Sequence, residues 1–463
     1  MSRLLAAIAT TRFGMGARPG EITAAAQDPR GWLKRQIRTD AARMKAGALP
    51  SSLQVIASQP AAYGIAGAER GMNRPAVDLG DKMQAEIGAR LRHAIATSRP
   101  FAERWARFWS NHFTTAARNV EMRGLVGPFE REAIRPNVFG SFRDLLRKAS
   151  FHPGMLVYLD AHRSVSPSSA AAQARDLGLN ENLAREILEL HTVGVGSGYT
   201  QDDIIEFARA LTGWTLSGSR IARIGGAGDG RPARQRRAST GGQSGAATFV
   251  EGLHEPGERT VLGKRYAMAA RDQAGAILDD LAAHPATARH IARKLATHFV
   301  SDTPSAAAIA KLESVFTESN GNLADLARAV IDLDEAWSAD LPTRKFKTPD
   351  ELMISVGRAA TAQAPGNIQG FYAMLGHLPF SAPSPAGWPD DTASWAGADA
   401  IKKRLEWANA IARRMVRGAS PSAFLDRALG ELASPATRQA VAFAESAEQG
   451  FTIAIMSPEF QRR

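Results

Sequence analysis

A protein without cysteine that activates water or holds a metal ion must build its site from imidazole and carboxylate groups, with amides to orient them. Two stretches of this sequence place such residues at helical spacing. In FAERWARFWSNHFTT, steps of three and four residues bring Phe101, Trp105, Phe108 and His112 onto one stripe, with Trp109 and Phe113 beside it. His112 therefore sits on an aromatic face that should be buried, and Asn111 precedes it. In NENLAREILELH, Leu183, Ile187 and Leu190 form the apolar face, and His191 projects onto it. Glu181, Arg185 and Glu189 are spaced as a solvated charge ladder on the opposite side, while Asn182 and Glu186 fall on the flank. Glu186 is the carboxylate expected to be half-buried. A buried imidazole needs partners for both nitrogens. Two helices presenting His inward, one with a flanking Glu, can form a His112/Glu186/His191 metal site or an acid/base pair. Equally, each His can bond a backbone carbonyl and serve packing alone.

Stronger signatures are missing. His254-Glu255 is followed by Glu258 where an HExxH motif needs His, and there is no GxSxG elbow. Gly194-Val195-Gly196-Ser197-Gly198 looks like a phosphate cradle, but a helix precedes it and no Gly-Lys-Ser/Thr follows. Gly194 reads better as the left-handed residue that closes a helix. The next helix, QDDIIEFARAL, holds three acids and one Arg, the wrong charge for a DNA groove. In the loop 381–395, SAPSPAGWPDDTASW, Trp388 and Trp395 stand beside Asp390 and Asp391. That suits either sugar or peptide binding, or a buried anchor for a Pro-rich crossover. His254, Glu255 and Arg259 cluster in a turn, which is ordinarily polar whether or not it is catalytic.

The elements that must position these groups are helices. Amphipathic Ala-rich segments recur around 32–46, 81–97, 99–117, 181–192, 201–211, 286–299, 349–362, 399–416 and 422–446, among others. Thr348-Pro349-Asp350-Glu351 is a start signal, with Thr as cap, Pro in the first turn and Glu at the third position; Thr200 and Asp203 frame another. Strand-like alternation is scarce, and a small hairpin around a Pro-Gly turn in 249–266 is the one sheet expected. The pattern predicts a mainly α fold, one large multi-helix domain over 1–463 with that minor hairpin. The exception is 217–247, whose eight Gly and six Arg against one Asp predict a flexible basic insertion.

Composition limits the functions. The 463 residues are 44% hydrophobic and 22% charged, enough to bury a sizeable core. Without cysteine, disulfides, thiolate metal sites and thiol catalysis are excluded. Lys and Arg number 57 against 46 Asp and Glu, a net +11 that admits a polyanion as partner. No apolar run approaches the ~18 residues of a membrane span. The run Leu4 to Ala9 is too short for a secretory core, so the sequence predicts a cytoplasmic protein.

The motifs also resemble, in order, the bacterial family catalogued as domain of unknown function number 1800. RFGMGARPGE is followed by RWARFWSNHFTT, MLVYLD and NENLAREILELHTVGVGSGYTQDDIIEFARALTGW, then HEPGERTVLG, HIARKLATHFVSD, KTPDEL, GWPDDTASW and SPEFQRR. The resemblance points to Asn111 and His112, to Asp160, and to Asn180, Asn182, Arg185, Glu186, Glu189 and His191. It points further to Arg209, Thr212, Trp214, His254, Trp388 and Arg404. The sequence departs from the family pattern at His162, Glu255 and Arg259. The resemblance implies no established activity. It implies export in many relatives, and association with a sulfatase-like or alkaline-phosphatase-like partner protein. Together these readings predict a cysteine-free hydrolase acting on a polymer, metal-dependent or acid/base, with its site between the 99–117 and 180–192 helices. Glu186, His112 and His191 would be catalytic groups or ligands of a divalent metal. Asn111, Asn182, Asp160, His254, Trp388 and Arg404 would bind or orient. The alternative is a non-enzymatic binding or assembly partner whose Arg231, Arg234, Arg236 and Arg237 engage a polyanion or acidic protein.

Overall fold

A computed structural model describes residues 2–65, 78–226, 245–341, 344–360, 367–416 and 420–463. The chain is mainly helical, as its periodicity predicts, and an apolar core runs continuously from Ala7 to Phe460. Helix starts follow local chemistry. Thr200 and Asp203 form the expected capping box before Gln201–Leu211. Glu351 Oε2 accepts from the Thr348 amide at 2.8 Å as Pro349–Ala360 begins. Among the described residues no helix is long and apolar enough to cross a membrane.

Several boundaries differ from expectation for identifiable reasons. The aromatic helix is Pro100–His112 and stops before 117, where the Thr114 hydroxyl turns back to the Asn111 carbonyl. The first expected segment, 32–46, is helical only at its start, Pro29–Lys34. The segment expected as one helix over 422–446 is broken into Pro421–Leu429, Gly430–Leu432 and Pro435–Ala442. Gly430 takes φ +53° there, and Pro435 restarts the chain at a helical first position.

Two small antiparallel pairs replace the one hairpin. Arg259–Val261 pairs with Lys264–Tyr266, and the chain turns at Leu262-Gly263, both at positive φ, not at Pro256-Gly257. Trp214–Leu216 pairs with Ala247–Phe249, so the basic insertion leaves and returns side by side. Its first part is structured: Arg220–Gly225 is a helix capped by Ser219, with Ala222 buried. Arg231, Arg234, Arg236 and Arg237 lie outside the described residues.

Candidate functional site

Pro100–His112 buries almost every side chain it carries, including Glu103, Arg104 and Arg107. Buried charges need partners, and the neighbouring helices supply them in a closed ring. Arg135 binds Glu103 and Glu130, both at 2.7 Å. Glu103 binds Arg107 at 2.7 Å, Arg107 binds Asp350, Asp350 binds Arg90 at 3.2 Å, and Arg90 returns to Glu130 at 2.9 Å. The next residue, Glu351, anchors a second chain. It pairs with Arg104 and, at 3.1 Å, with Arg463, which reaches Asp390 at 3.0 Å. Residues of both networks line a cavity of about 620 Å³, closed on one side by the loop 381–395.

The chemistry in this cavity comes from Pro285–Phe299. His290, Lys294 and His298 recur every four residues on one stripe of that helix, while Ile291, Leu295 and Phe299 face the core. His298 Nδ1 lies 2.5 Å from Asp390 Oδ2. A carboxylate can only accept, so Nδ1 carries the proton and the Nε2 lone pair is left bare. That nitrogen is buried and has no partner among the described residues. Burial pushes the His298 imidazole down to about 4, against the opposing pull of Asp390. Burial would raise Asp390, but the His298 N–H, Lys345 and Arg463 together hold it well below the usual carboxylate range. The pair is thus a neutral imidazole aligned by a fixed anion.

His112 also lines the cavity. Its Nε2 donates to the His191 carbonyl at 3.1 Å, leaving Nδ1 bare and unpartnered. His290 Nε2 makes the same bond, 3.1 Å, to the Leu190 carbonyl. The two imidazoles satisfy carbonyls that a helix end leaves without intrahelical partners. The packing reading of His112 accounts for one nitrogen and leaves the other without a partner among the described residues. Burial, with Lys294 next, depresses both His112 and His191.

The helix bearing His191 explains why Glu186 does not join them. It is α-helical over Asn182–Glu186 and then winds as a π-helix over Ile187–His191. The wider turn brings Leu188 and His191 inward and leaves Leu190 only partly buried. Glu186 stays on the flank as expected, half-buried, without a hydrogen bond or ion pair among the described residues. Burial and then Glu189 raise its pKa. The expected ladder forms, with Arg185 at 2.9 Å from Glu181 and 3.5 Å from Glu189.

Among the described residues no group of three or more His, Asp or Glu side chains is placed to hold a metal ion. His112, Glu186 and His191 therefore do not form a ligand set here. Of the other expected residues, Asn111 and Trp388 line the cavity. Asp160 and Asn182 are exposed and away from it. Arg404 is a buried clamp, donating to Gln461 at 2.8 Å and to the Lys347 carbonyl at 2.6 Å. His254 donates from Nδ1 to the Thr212 carbonyl at 2.9 Å, beside a separate small hollow. Sequence reasoning missed Lys294 and His298, and read Asp390 only as a carboxylate beside Trp388 and Trp395, not as a partner of His298. The signal was present in HIARKLATHF: three basic side chains at i, i+4 and i+8 on one stripe of the helix.

Fold and cavity together define a mainly α-helical protein with a partly open cavity lined by apolar and charged side chains and flanked by a Trp-bearing loop. The chain belongs to the family described as "Protein of unknown function (DUF1800)", which matches residues 8–462. No curated protein and no solved structure matches it.

Proposed function

We propose that the protein is an acid/base hydrolase whose general base is His298, oriented by Asp390, in the cavity beneath the loop 381–395. One observation carries this reading: the proton on Nδ1 is fixed by a carboxylate at 2.5 Å, and the opposite nitrogen is buried and has no partner among the described residues. An orphaned buried nitrogen costs stability and calls for a partner that a substrate or water can supply. In the reaction a water enters beside Nε2 and gives it a proton as its oxygen attacks the substrate. The imidazolium formed is stabilised by Asp390 and then protonates the leaving group. His112, in the same wall, has a second imidazole nitrogen, Nδ1, without a partner among the described residues. A cavity of about 620 Å³ is the size of a small-molecule site, so a polymer would enter by an end or a side group.

The test is a panel of p-nitrophenyl carboxylate, phosphate and sulfate esters and glycosides, run on the full chain and on His298→Ala. At least one class should be turned over, with His298→Ala lowering kcat/KM by about 10²–10⁴-fold. Turnover of none of them, or equal turnover by the variant, removes the reading.

A further inference from the structure

Most of the charged side chains that line the cavity are committed to ion pairs, and one half-buried cation is not. The ring sets Arg90, Arg107 and Arg135 against Glu103, Glu130 and Asp350. The second network sets Arg104, Arg463 and Lys345 against Glu351, Asp390 and Asp302. Each closes at three against three. At the rim, Arg293 is exposed to solvent, and the Asp391 carboxylate caps Ser394. Lys294 is left over. It lines the cavity, is half-buried, and makes no hydrogen bond or ion pair among the described residues. The ionisable groups facing it are the neutral imidazoles of His112, His191 and His290, and the already committed Asp390. Thr297 and Ser110 also line the cavity, and their hydroxyls have no partner among the described residues.

We infer that Lys294 is the anchor of an oxyanion subsite in this cavity, so that the molecule bound there carries a phosphate, sulfate or carboxylate group. An ammonium removed from water without a counter-ion is destabilised, and an incoming oxyanion restores the missing charge. Burial already pulls the Lys294 amine down to about 8, the direction that an absent partner produces. Four residues along the same helical stripe, His298 stands one turn away. The subsite thus sets the anionic group beside the proposed base. The inference rests on reading the cavity as the substrate site, but not on the hydrolytic step.

Calorimetric titration of the full chain with inorganic phosphate, sulfate and acetate separates the three sources. At least one should bind, Lys294→Met should weaken it by about tenfold or more, and Lys294→Arg should retain it. On wild-type protein, lysine ¹³Cε NMR should show the Lys294 amine rising from about 8 to about 9 or higher when that anion saturates. His298→Ala should still bind the anion. Loss of turnover with retained anion binding in that variant supports both readings, and unchanged turnover with retained binding sinks only the hydrolase. No binding by wild type, binding unaffected by Lys294→Met, or an amine that does not move overturns the subsite.

Discussion

Asn111 holds the backbone of Trp388 with both ends of its amide. Its Nδ2 donates to the Trp388 carbonyl at 2.9 Å, and its Oδ1 accepts from the Trp388 N–H at 2.8 Å. One residue of the aromatic helix thereby fixes the loop that closes the cavity. Gly387 makes the approach possible: it sits at φ +87°, and a Cβ there would lie 2.6 Å from the Asn111 carbonyl oxygen. Asn111→Ala should cost about 2 kcal/mol, since two half-buried backbone groups lose their partners. Gly387→Ala should cost more and also free the loop. Urea unfolding with limited proteolysis at 381–395 checks this. A variant Asn111→Ala with wild-type stability and protease resistance would show that the clamp holds nothing.

Asp390 sets the tautomer of His298, and this can be read without a substrate. In wild type, ¹⁵N NMR should place the His298 proton on Nδ1. In Asp390→Asn the amide can donate instead, which favours the tautomer protonated at Nε2 and removes the bare base. Any hydrolysis found in the panel should fall with it by about 10²-fold or more. Activity that survives a switched tautomer would mean that His298 is not the base.

Stability should fall early on acidification. Burial is the largest cause depressing His191 to about 3, and His290, His298 and His377 to about 4, from 6.5. A depressed imidazole stays neutral when folded while the unfolded chain takes up the proton, so stability is lost as pH drops below about 6.5 towards 4. The carboxylates follow. Burial alone would raise Glu130 and Glu351, but their arginine partners hold each near 2, from 4.5. Their contribution is present above about pH 4.5 and disappears as pH falls towards 2. Each of these shifts is worth roughly 3–5 kcal/mol at most, so the urea midpoint should already decline between pH 7 and 5. A midpoint flat to pH 5 would mean that the histidines are not held neutral.

How far the site could be read from sequence depends on what local patterns encode. The aromatic stripe of Phe101, Trp105, Phe108 and His112 is a straight helix, so wheel arithmetic placed His112 correctly. Capping at Thr200 and Thr348 is a matter of three or four residues and was equally legible. The partnership of His298 with Asp390 spans 92 residues, and that of Asn111 with Trp388 spans 277. No local period reports such contacts. His254 and Arg404 were plausible polar residues, but their partners (the Thr212 carbonyl, Gln461) make them clamps, and only the tertiary fold shows that. The closure of the two charge networks, with Lys294 outside both, is likewise a property of assembled helices.

The π-turn at Ile187–His191 offers a direct contest between the two periods. A 3.6-residue repeat buries Leu190 beside Leu183 and Ile187, whereas the wider turn buries Leu188 and leaves Leu190 partly exposed. The Gly194 amide, bonded to the Leu188 carbonyl at 3.0 Å, fixes the end of this turn, and a Cβ on Gly194 would meet His290 at 2.7 Å. Leu188→Ala should therefore cost about 2–5 kcal/mol as a core cavity, and Leu190→Ala about 1 kcal/mol or less. Because the same turn aims the carbonyls of Leu190 and His191 at His290 and His112, Leu188→Ala should also shift the His112 ring resonances. Chemical denaturation of the two variants decides the matter. A larger loss at Leu190 than at Leu188 would mean that the helix keeps its α period to the end, and that His191 reaches the core by another route.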